Sequence, residues 1–311
     1  MTSSACGPIA YFAFNRPVHT ARSLAALAAN PEAGDTDLHA FVDGPRREDD
    51  RPFVAEVLAV IRAAKGFRSV TVHQSQTNQG LYRAVTSGVS HVLTTADRVI
   101  VVEDDILASP YFLAYMNDGL KRYESVQQVG SIHAYSPPID GLPDYFFLRG
   151  GDCWGWATWA DRWQLFQSDP SALLKQLVSS DQVLAFCTSH GIGSLLLLIR
   201  RARRRNQSWA ILWHASLFLA GRLTLHPGRA FADNIGNDGS GEHSSATDSY
   251  ATRLVDIYQG LPGDLPVRED ASAAHALRAF LESSAFGRSG ALRRRLLSAY
   301  AMLSVRVLVR R

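Results

Sequence analysis

Residues 99–105 read Val-Ile-Val-Val-Glu-Asp-Asp, four apolar residues that run directly into three acids. Such an apolar run is typical of a central parallel strand that is buried on both faces. Because unpaired charge is too costly to bury, the acids must lie where the strand ends and opens to solvent. The sequence therefore predicts an open α/β sheet with three adjacent carboxylates at its carboxyl edge, which is where ligands of such sheets bind.

Three neighbouring carboxylates repel one another unless a cation or protons lie between them. Their hard oxygen atoms suit Mg²⁺ or Mn²⁺, which complete their coordination with water and substrate phosphates. This chemistry indicates a site for a metal ion and a diphosphate. An acidic turn between a strand and a helix, with Asp104 or Asp105 near a helix N-cap, fits the same residues.

The first third of the chain alternates apolar strand patterns with helical patterns. This alternation predicts βαβ units with right-handed crossovers, and therefore a Rossmann-like, mainly parallel central sheet flanked by helices. The expected strands are 9–14, 38–42, 69–73 and 99–102, and the expected helices are about 19–30, 52–64, 81–94 and 110–123. A further strand is expected at 129–135.

The composition of the chain limits the classes of function that it fits. The chain has 311 residues and a net charge of only +3, so its bulk charge gives no argument for nucleic acid as a partner. Its three cysteines, at positions 6, 153 and 187, are scattered and odd in number, which fits a reducing compartment. We expect neither a signal peptide nor a spanning helix, because no segment reaches roughly 20 uninterrupted apolar residues.

The C-terminal residues are strongly basic. Positions 288–311 carry seven arginines and no acid, interleaved with apolar residues. This pattern predicts a basic amphipathic helix on an anionic membrane surface, and a packed, solvated C-terminal helix is the alternative. With membrane contact, the protein would be cytoplasmic and peripheral on the inner face of the cell membrane.

The second half of the chain holds all six tryptophans, at positions 154, 156, 159, 163, 209 and 213. The helical spacing of Trp156, Trp159 and Trp163 favours a core seam, and a stacking surface for a sugar ring is the other reading. The glycine-rich segment 228–245 contains His243. It fits a surface turn or a lid over a phosphate with His243 as a metal ligand.

Several motifs resemble, in order, those of GT-A-fold glycosyltransferases, in particular the N-acetylglucosaminyltransferase I group and its bacterial relatives. The resemblance spans about 9–245. Its strongest element is the Glu-Asp-Asp strand end, which is followed by Pro110-Tyr111-Phe112. The other matching motifs are Asn15-Arg16, Asp43-Gly44, Gln79-Gly80-Leu81-Tyr82 and Gly155-Trp156.

The resemblance implies a metal-dependent, inverting hexosyl- or N-acetylhexosaminyltransferase. Such an enzyme moves a sugar from a nucleotide-sugar donor, here expected to be a UDP-sugar, to a glycan or lipid-linked acceptor of polysaccharide biosynthesis. By this resemblance Asp105 and His243 would bind Mn²⁺ or Mg²⁺. The donor would contact Arg16, Asp43, Gln79, Gly80, Arg83, Glu103 and Asp104, although Arg83 fits a surface salt bridge equally well. The acceptor would contact Trp154, Gly155, Trp156 and Trp209.

The catalytic base departs from the family pattern. The family supplies it from a Trp-Asp-Asp-Trp segment, whereas residues 209–213 read Trp-Ala-Ile-Leu-Trp with no acid. An inverting transferase needs a group that takes the acceptor's proton. Asp152, directly before the Cys-Trp-Gly-Trp run, is the first candidate. Asp161 is the second, His214 is the third, and Asp238 is a loop acid with no particular claim.

We expect one GT-A domain with an extension: a nucleotide-sugar-binding half at 1–128, an acceptor-binding half at 129–250, and a helical, membrane-associated extension at 251–311. Two alternatives remain. A nucleotidyltransferase would use the same acidic metal site, although the loop at 14–17 lacks the glycines that such enzymes place after the first strand. A non-catalytic GT-A-like scaffold or glycan-binding module at the membrane would account for the missing acid.

Overall fold

The computed structural model describes residues 6–239 and 249–286, together with Ala301 and Val305; for 285 and 286 it describes the backbone only. The strands are β1 (Ile9–Ala13), β2 (Asp37–Val42), β3 (Ser69–Gln74), β4 (Arg98–Glu103), β5 (Ile106–Ala108), β6 (Val129–His133), β7 (Tyr145–Arg149), β8 (Trp156–Trp159), β9 (Leu223–Pro227) and β10 (Ala232–Asn234). The helices are α1 (Pro17–Ala28), α2 (Arg51–Ala63), α3 (Leu81–Val92), α4 (Phe112–Arg122), α5 (Ala160–Trp163), α6 (Pro170–Ser179), α7 (Val183–His190), α8 (Ile192–Ala202), α9 (Ala210–Leu219) and α10 (Ala271–Phe286).

Eight strands form one sheet in the order β3-β2-β1-β4-β8-β6-β9-β7. Strands β1 to β4 are parallel, β8 is antiparallel to both of its neighbours, and β9 is parallel to β6. Strands β8 and β7 therefore run antiparallel to the other six strands of this sheet. The predicted α/β class, with a mainly parallel sheet flanked by helices, is confirmed. The four expected strands and four expected helices of the first third are all present, with ends shifted by a few residues.

Strand β4 is the central buried strand that the apolar run predicts. Its side chains alternate between the two faces of the sheet. Ile100 and Val102 join the core under α1, α2 and α4, whereas Val99 and Val101 join the core that contains side chains of α3 and α9. All four are at most 1% exposed, and burying each such side chain stabilises the fold by about 1.5–3 kcal/mol.

Four of the six tryptophans, at positions 156, 163, 209 and 213, form a core seam. Of the three with helical spacing, Trp156 and Trp159 lie in strand β8, and only Trp163 lies in a helix, α5. The ring of Trp156 is fully buried, with its centroid 5.9 Å from that of Trp163, 5.4 Å from that of Trp209 and 5.6 Å from that of Trp213. The expectation that Trp156, Trp159 and Trp163 lie on one helix is wrong. Strand β8 is short and pairs with β4 and β6, and pairing between distant segments leaves no periodic pattern in four residues.

Helices α6 to α9 build a second apolar core beside the sheet, and Ala301 and Val305 are buried in it. The rest of the basic segment 288–311 lies outside the described residues. Among the helices that are described, none is alone long and apolar enough to cross a membrane. Helices α7 and α8 reach that length and composition only when they are taken together, and the chain bends by 118° between them.

Glycine 88 sets how closely α3 approaches β1. A Cβ atom at this position would lie 2.5 Å from the Phe12 ring and 3.1 Å from that of Phe41, two rings that stack on each other. Gly193, on the exposed side of α8, has nothing within 4 Å of the same position. We expect Gly88→Ala to destabilise the protein by about 1–2 kcal/mol, because overpacking outweighs the gain in helix propensity.

In Gly193→Ala only the propensity gain remains, so we expect about 0.5–1 kcal/mol of added stability. Denaturant unfolding of the two variants beside the parent protein measures the difference. Equal stabilisation by both substitutions would contradict the close packing of α3 on Phe12.

Candidate active site

A cavity of about 1010 Å³ opens at the carboxyl ends of β1, β2 and β4. Residues 14–16 after β1, Asp43 after β2 and residues 103–105 at the end of β4 form one wall. The lining also includes His133, Asp152, His190 and His226, which form a second wall, and three apolar side chains of α10, Leu277, Phe280 and Leu281. The acids thus lie at the sheet edge where ligands of α/β proteins bind.

Arg16 holds two acids of the triplet together. Its Nη2 donates hydrogen bonds to Asp104 Oδ1 and to Asp105 Oδ2, the latter over 3.0 Å. Its Nη1 is buried and has no hydrogen-bond partner among the described residues. The backbone N–H of Phe14 donates to the other oxygen of Asp104 over 3.5 Å. One guanidinium group therefore fixes the ends of β1 and β4 relative to each other.

The charge of the triplet exceeds what Arg16 neutralises. Burial, followed by the charges of Asp105 and Asp104, raises the pKa of Glu103 to about 8. Burial also raises the pKa of Asp104 to about 6, although the Arg16 guanidinium opposes this increase. Three carboxylates facing one guanidinium leave an excess of negative charge, which protons or a metal cation can offset. The residues present therefore fit a hard divalent cation.

Asp105 is more accessible to such a cation than Asp104, with a side chain that is 16% exposed against 4%. The segment after β10 packs directly on it. Ile235 N–H donates to the Asp105 carbonyl over 2.9 Å, and a Cβ atom at Gly236 would lie 2.4 Å from Asp105 Oδ2. Only a glycine permits this approach of the backbone to the carboxylate. His243, the second expected metal ligand, lies outside the described residues.

Asp43 organises the loop before α3. Its carboxylate accepts backbone hydrogen bonds from Gly44 (2.9 Å), Gln79 (2.8 Å) and Gly80 (2.9 Å). Asp43 also lines the cavity, whereas Gln79, Gly80 and Arg83 do not. The side chains of Gln79 and Arg83 are exposed. Of these four predicted donor residues, Asp43 therefore lines the cavity and the other three do not.

A further carboxylate at this wall was missed by the sequence analysis. Asp50 is 5% exposed, accepts from Asn15 Nδ2 over 3.0 Å and from the backbone N–H of Arg46 over 3.1 Å, and lines the cavity. The Arg46 guanidinium lies 5.0 Å from the centre of the Phe14 ring. The Arg-Arg pair at 46–47, three residues after Asp43, was the available signal for this part of the site.

Asp152 lines the cavity at the second wall. Its Oδ1 accepts the backbone N–H of Cys153 over 2.8 Å, and its Oδ2 lies 3.5 Å from His133 Nε2. Burial would raise the pKa of Asp152, but the neighbouring His133, His226 and His190 lower it below its usual value. Asp152 is therefore a carboxylate anion at neutral pH.

Four buried histidines surround Asp152, at positions 133, 190, 214 and 226. Burial lowers the pKa of each of them, that of His226 to about 3. The rings of His190 and His214 lie 4.3 Å apart, and those of His133 and His226 lie 5.0 Å apart. These histidines are scattered along the chain and come from four elements, which is why spacing gave no signal for the group.

The other candidate bases lie away from the cavity lining. Asp161 is exposed, forms an ion pair with Arg162 at 2.8 Å and accepts from Gln127 over 2.9 Å. His214 is buried behind the wall, with Nδ1 2.9 Å from the carbonyl oxygen of Gly151. Asp238 lies 3.1 Å from His19 Nε2. Asp152 is the predicted base that lines the cavity.

Two of the four predicted acceptor residues line the cavity and two do not. Trp154 is half-buried and lines the cavity, with its ring edge-on to Tyr135 at 4.7 Å. Trp209 also lines the cavity but is 2% exposed, and its side chain hydrogen-bonds to Glu103. Gly155 and Trp156 are buried away from the lining. The structure therefore gives Trp156 a place in the core and not on a ligand surface.

No protein-family model and no curated protein matches the chain. The solved structures that are similar to part of it include the following three. The mannosyltransferase PcManGT from Pyrobaculum calidifontis, in complex with GDP-Man and Mn²⁺, has a TM-score of 0.32 at 12% identity over 43% of this chain. S. aureus TarS 1–349 in complex with UDP-GlcNAc has a TM-score of 0.31 at 11% identity over 44%. S. aureus TarS has a TM-score of 0.30 at 13% identity over 44%. The chain covers 36%, 36% and 23% of these three chains, respectively.

The raised pKa of Glu103 predicts an unusual pH dependence of stability. Between its ordinary value of 4.5 and the folded value of about 8, the folded state binds more protons than the unfolded state. The free energy of unfolding of the metal-free protein should therefore fall as pH rises through this window. Asp104 contributes in the same direction up to about pH 6.

We expect Glu103→Gln to reduce this decline by at least about 1 kcal/mol between pH 5 and pH 8. The matched control is Glu56→Gln, an exposed glutamate of α2. Denaturant unfolding at several pH values measures both variants. An unchanged pH dependence in Glu103→Gln would show that Glu103 is ionised in the folded protein at neutral pH.

Proposed function

We propose that this chain is a metal-dependent glycosyltransferase of the GT-A plan. It would move a sugar from a nucleotide-sugar donor, a UDP-sugar by the resemblance of its motifs, to a glycan or lipid-linked acceptor. One observation carries the proposal: the negatively charged end of β4, bound to Arg16, and the carboxylate of Asp152 line the same cavity. Donor activation and acceptor deprotonation need two such walls.

The donor wall would hold a nucleoside diphosphate. Asp105 would ligate Mn²⁺ or Mg²⁺, and the bound cation would act as a Lewis acid that neutralises the diphosphate as it leaves. Arg16 keeps Asp105 and Asp104 in place before the donor arrives. Arg46 and Arg47 line the same wall and carry positive charge suited to phosphate oxygens. Phe14 and Asp43 lie beside them, where a nucleoside would bind.

The acceptor wall would remove a proton. Asp152 is ionised and faces the cavity, so its carboxylate can accept the proton of an acceptor hydroxyl as the sugar is transferred with inversion. Trp154 offers a partly exposed ring face to a sugar at the same wall. The basic segment 288–311 would hold such an enzyme at an anionic membrane surface, where lipid-linked acceptors lie.

Metal-dependent donor binding is the first test of this proposal. In a thermal-shift screen of nucleotide sugars with and without Mn²⁺, one donor should stabilise the protein only when Mn²⁺ is present. At a donor concentration of 100 times Kd the expected gain is about 2.7 kcal/mol. Asp105→Asn should abolish the gain because it removes the proposed metal ligand.

Asp161→Asn is the matched control, since it makes the same change outside the cavity and should keep the gain. A donor-induced shift that persists in Asp105→Asn would contradict the proposed metal ligand. The absence of a shift with every nucleotide sugar, and of nucleoside diphosphate release above background, would favour a non-catalytic scaffold.

The role of Asp152 is tested by turnover. We expect Asp152→Asn to bind donor and Mn²⁺ normally, because the amide oxygen can still accept the Cys153 N–H bond. Sugar transfer should slow by roughly 10²–10⁴-fold through loss of the general base. Release of nucleoside diphosphate in the presence of acceptor measures it. Near-normal turnover with intact donor binding would exclude Asp152 as the base.

A further inference from the structure

Three potential metal ligands converge on the second wall of the cavity. His133 ends β6, Asp152 precedes β8, and His226 lies in β9, the parallel neighbour of β6. One ligand atom from each of the three residues lies within 4.8 Å of the other two. Because the sheet fixes both histidines, this geometry does not depend on a long loop.

The separation of the ligand atoms suits a bound cation better than a hydrogen bond. His133 Nε2 and Asp152 Oδ2 lie 3.5 Å apart and form no hydrogen bond. Two ligands of a tetrahedral zinc ion, each about 2.0–2.2 Å from the metal, are separated by about 3.4 Å. A direct charge-assisted hydrogen bond would be shorter, at about 2.7–2.9 Å.

His133 is an unpartnered polar side chain in the interior. Its ring is 1% exposed, and neither Nδ1 nor Nε2 has a hydrogen-bond partner among the described residues. Buried polar atoms are nearly always paired, and an ion is one of the few explanations for an exception. The ring of His133 lines the cavity with Asp152 and His226, so an ion could reach all three from the cavity.

We propose that His133, Asp152 and His226 bind a divalent transition-metal cation of the zinc type, separate from the cation proposed at Asp105. Imidazole nitrogen favours Zn²⁺ over Mg²⁺, whereas the all-carboxylate triplet favours hard ions. Three protein ligands leave at least one coordination position open towards the cavity, as in catalytic zinc sites. With zinc bound, Asp152 is a metal ligand, so it can accept a proton as the general base only in the zinc-free protein. The site does not rest on the proposed transferase activity.

Zinc binding to the full chain tests the proposal directly. The chelator-treated protein is titrated with Zn²⁺ by calorimetry, and X-ray absorption of the zinc-loaded protein reports the ligand atoms. We expect one equivalent of tightly bound zinc and a first shell that includes two imidazoles and a carboxylate. A stoichiometry well below one, or a shell of oxygen atoms alone, would overturn the assignment.

Two histidine variants locate the ion. His133→Gln and His226→Gln should each weaken zinc binding by roughly 100-fold or more. The matched control is His39→Gln, because His39 and His73 form another close histidine pair, with Nδ1 and Nε2 3.4 Å apart, away from the cavity. A loss in His39→Gln equal to that in the cavity variants would overturn the proposal.

Asp105→Asn should leave zinc binding intact, and a loss of zinc in that variant would assign the ion to the acid triplet instead. Circular dichroism confirms that each variant is folded. If the cavity variants fail to fold, the X-ray absorption of the parent protein still shows whether two imidazoles and a carboxylate bind the zinc. The measurement needs neither donor nor acceptor, so its outcome is independent of the donor-binding screen.

Discussion

The ion pairs of Arg16 with Asp104 and Asp105 are the interaction on which the site depends. They fix the ends of β1 and β4, two neighbouring strands in the parallel half of the sheet. One guanidinium offsets only part of the charge of three carboxylates, and burial together with repulsion between the carboxylates raises the pKa values of Glu103 and Asp104. A site with this charge is stabilised by protons at low pH and by a divalent cation at neutral pH.

The second wall has a different chemistry because it is built from a different part of the sheet. Antiparallel β8 turns the chain back beside β4, and β6 and β9 then bring His133 and His226 next to Asp152. Imidazoles around an ionised carboxylate suit a softer ion than the one suited to the acid triplet. One cavity thus joins a hard, anionic wall to a nitrogen-rich wall, and a reaction between two substrates can use both.

Local patterns predicted the first half of the fold and the polar residues at the carboxyl ends of β1, β2 and β4. The apolar runs of β1 and β4 and the helical patterns of α1 to α4 are contiguous in sequence, so Arg16, Asp43 and Asp105 could be placed at strand ends. The rest depends on pairing between distant segments. Strand β8 looked like part of a helix, and the histidine cluster had no sequence signal because its members are far apart in the chain. Spacing also does not reveal side-chain direction, which is why Arg83 and Asp161 were selected although both point to solvent.

The most direct measurement is the anomalous scattering of manganese in crystals of the protein grown with Mn²⁺ and a uridine diphosphate sugar. The account predicts a manganese peak at coordination distance from Asp105, with the diphosphate bound to it and the nucleoside beside Phe14 and Asp43. A diphosphate bound elsewhere, or a manganese peak at coordination distance from neither Asp105 nor its neighbours in the triplet, would contradict it.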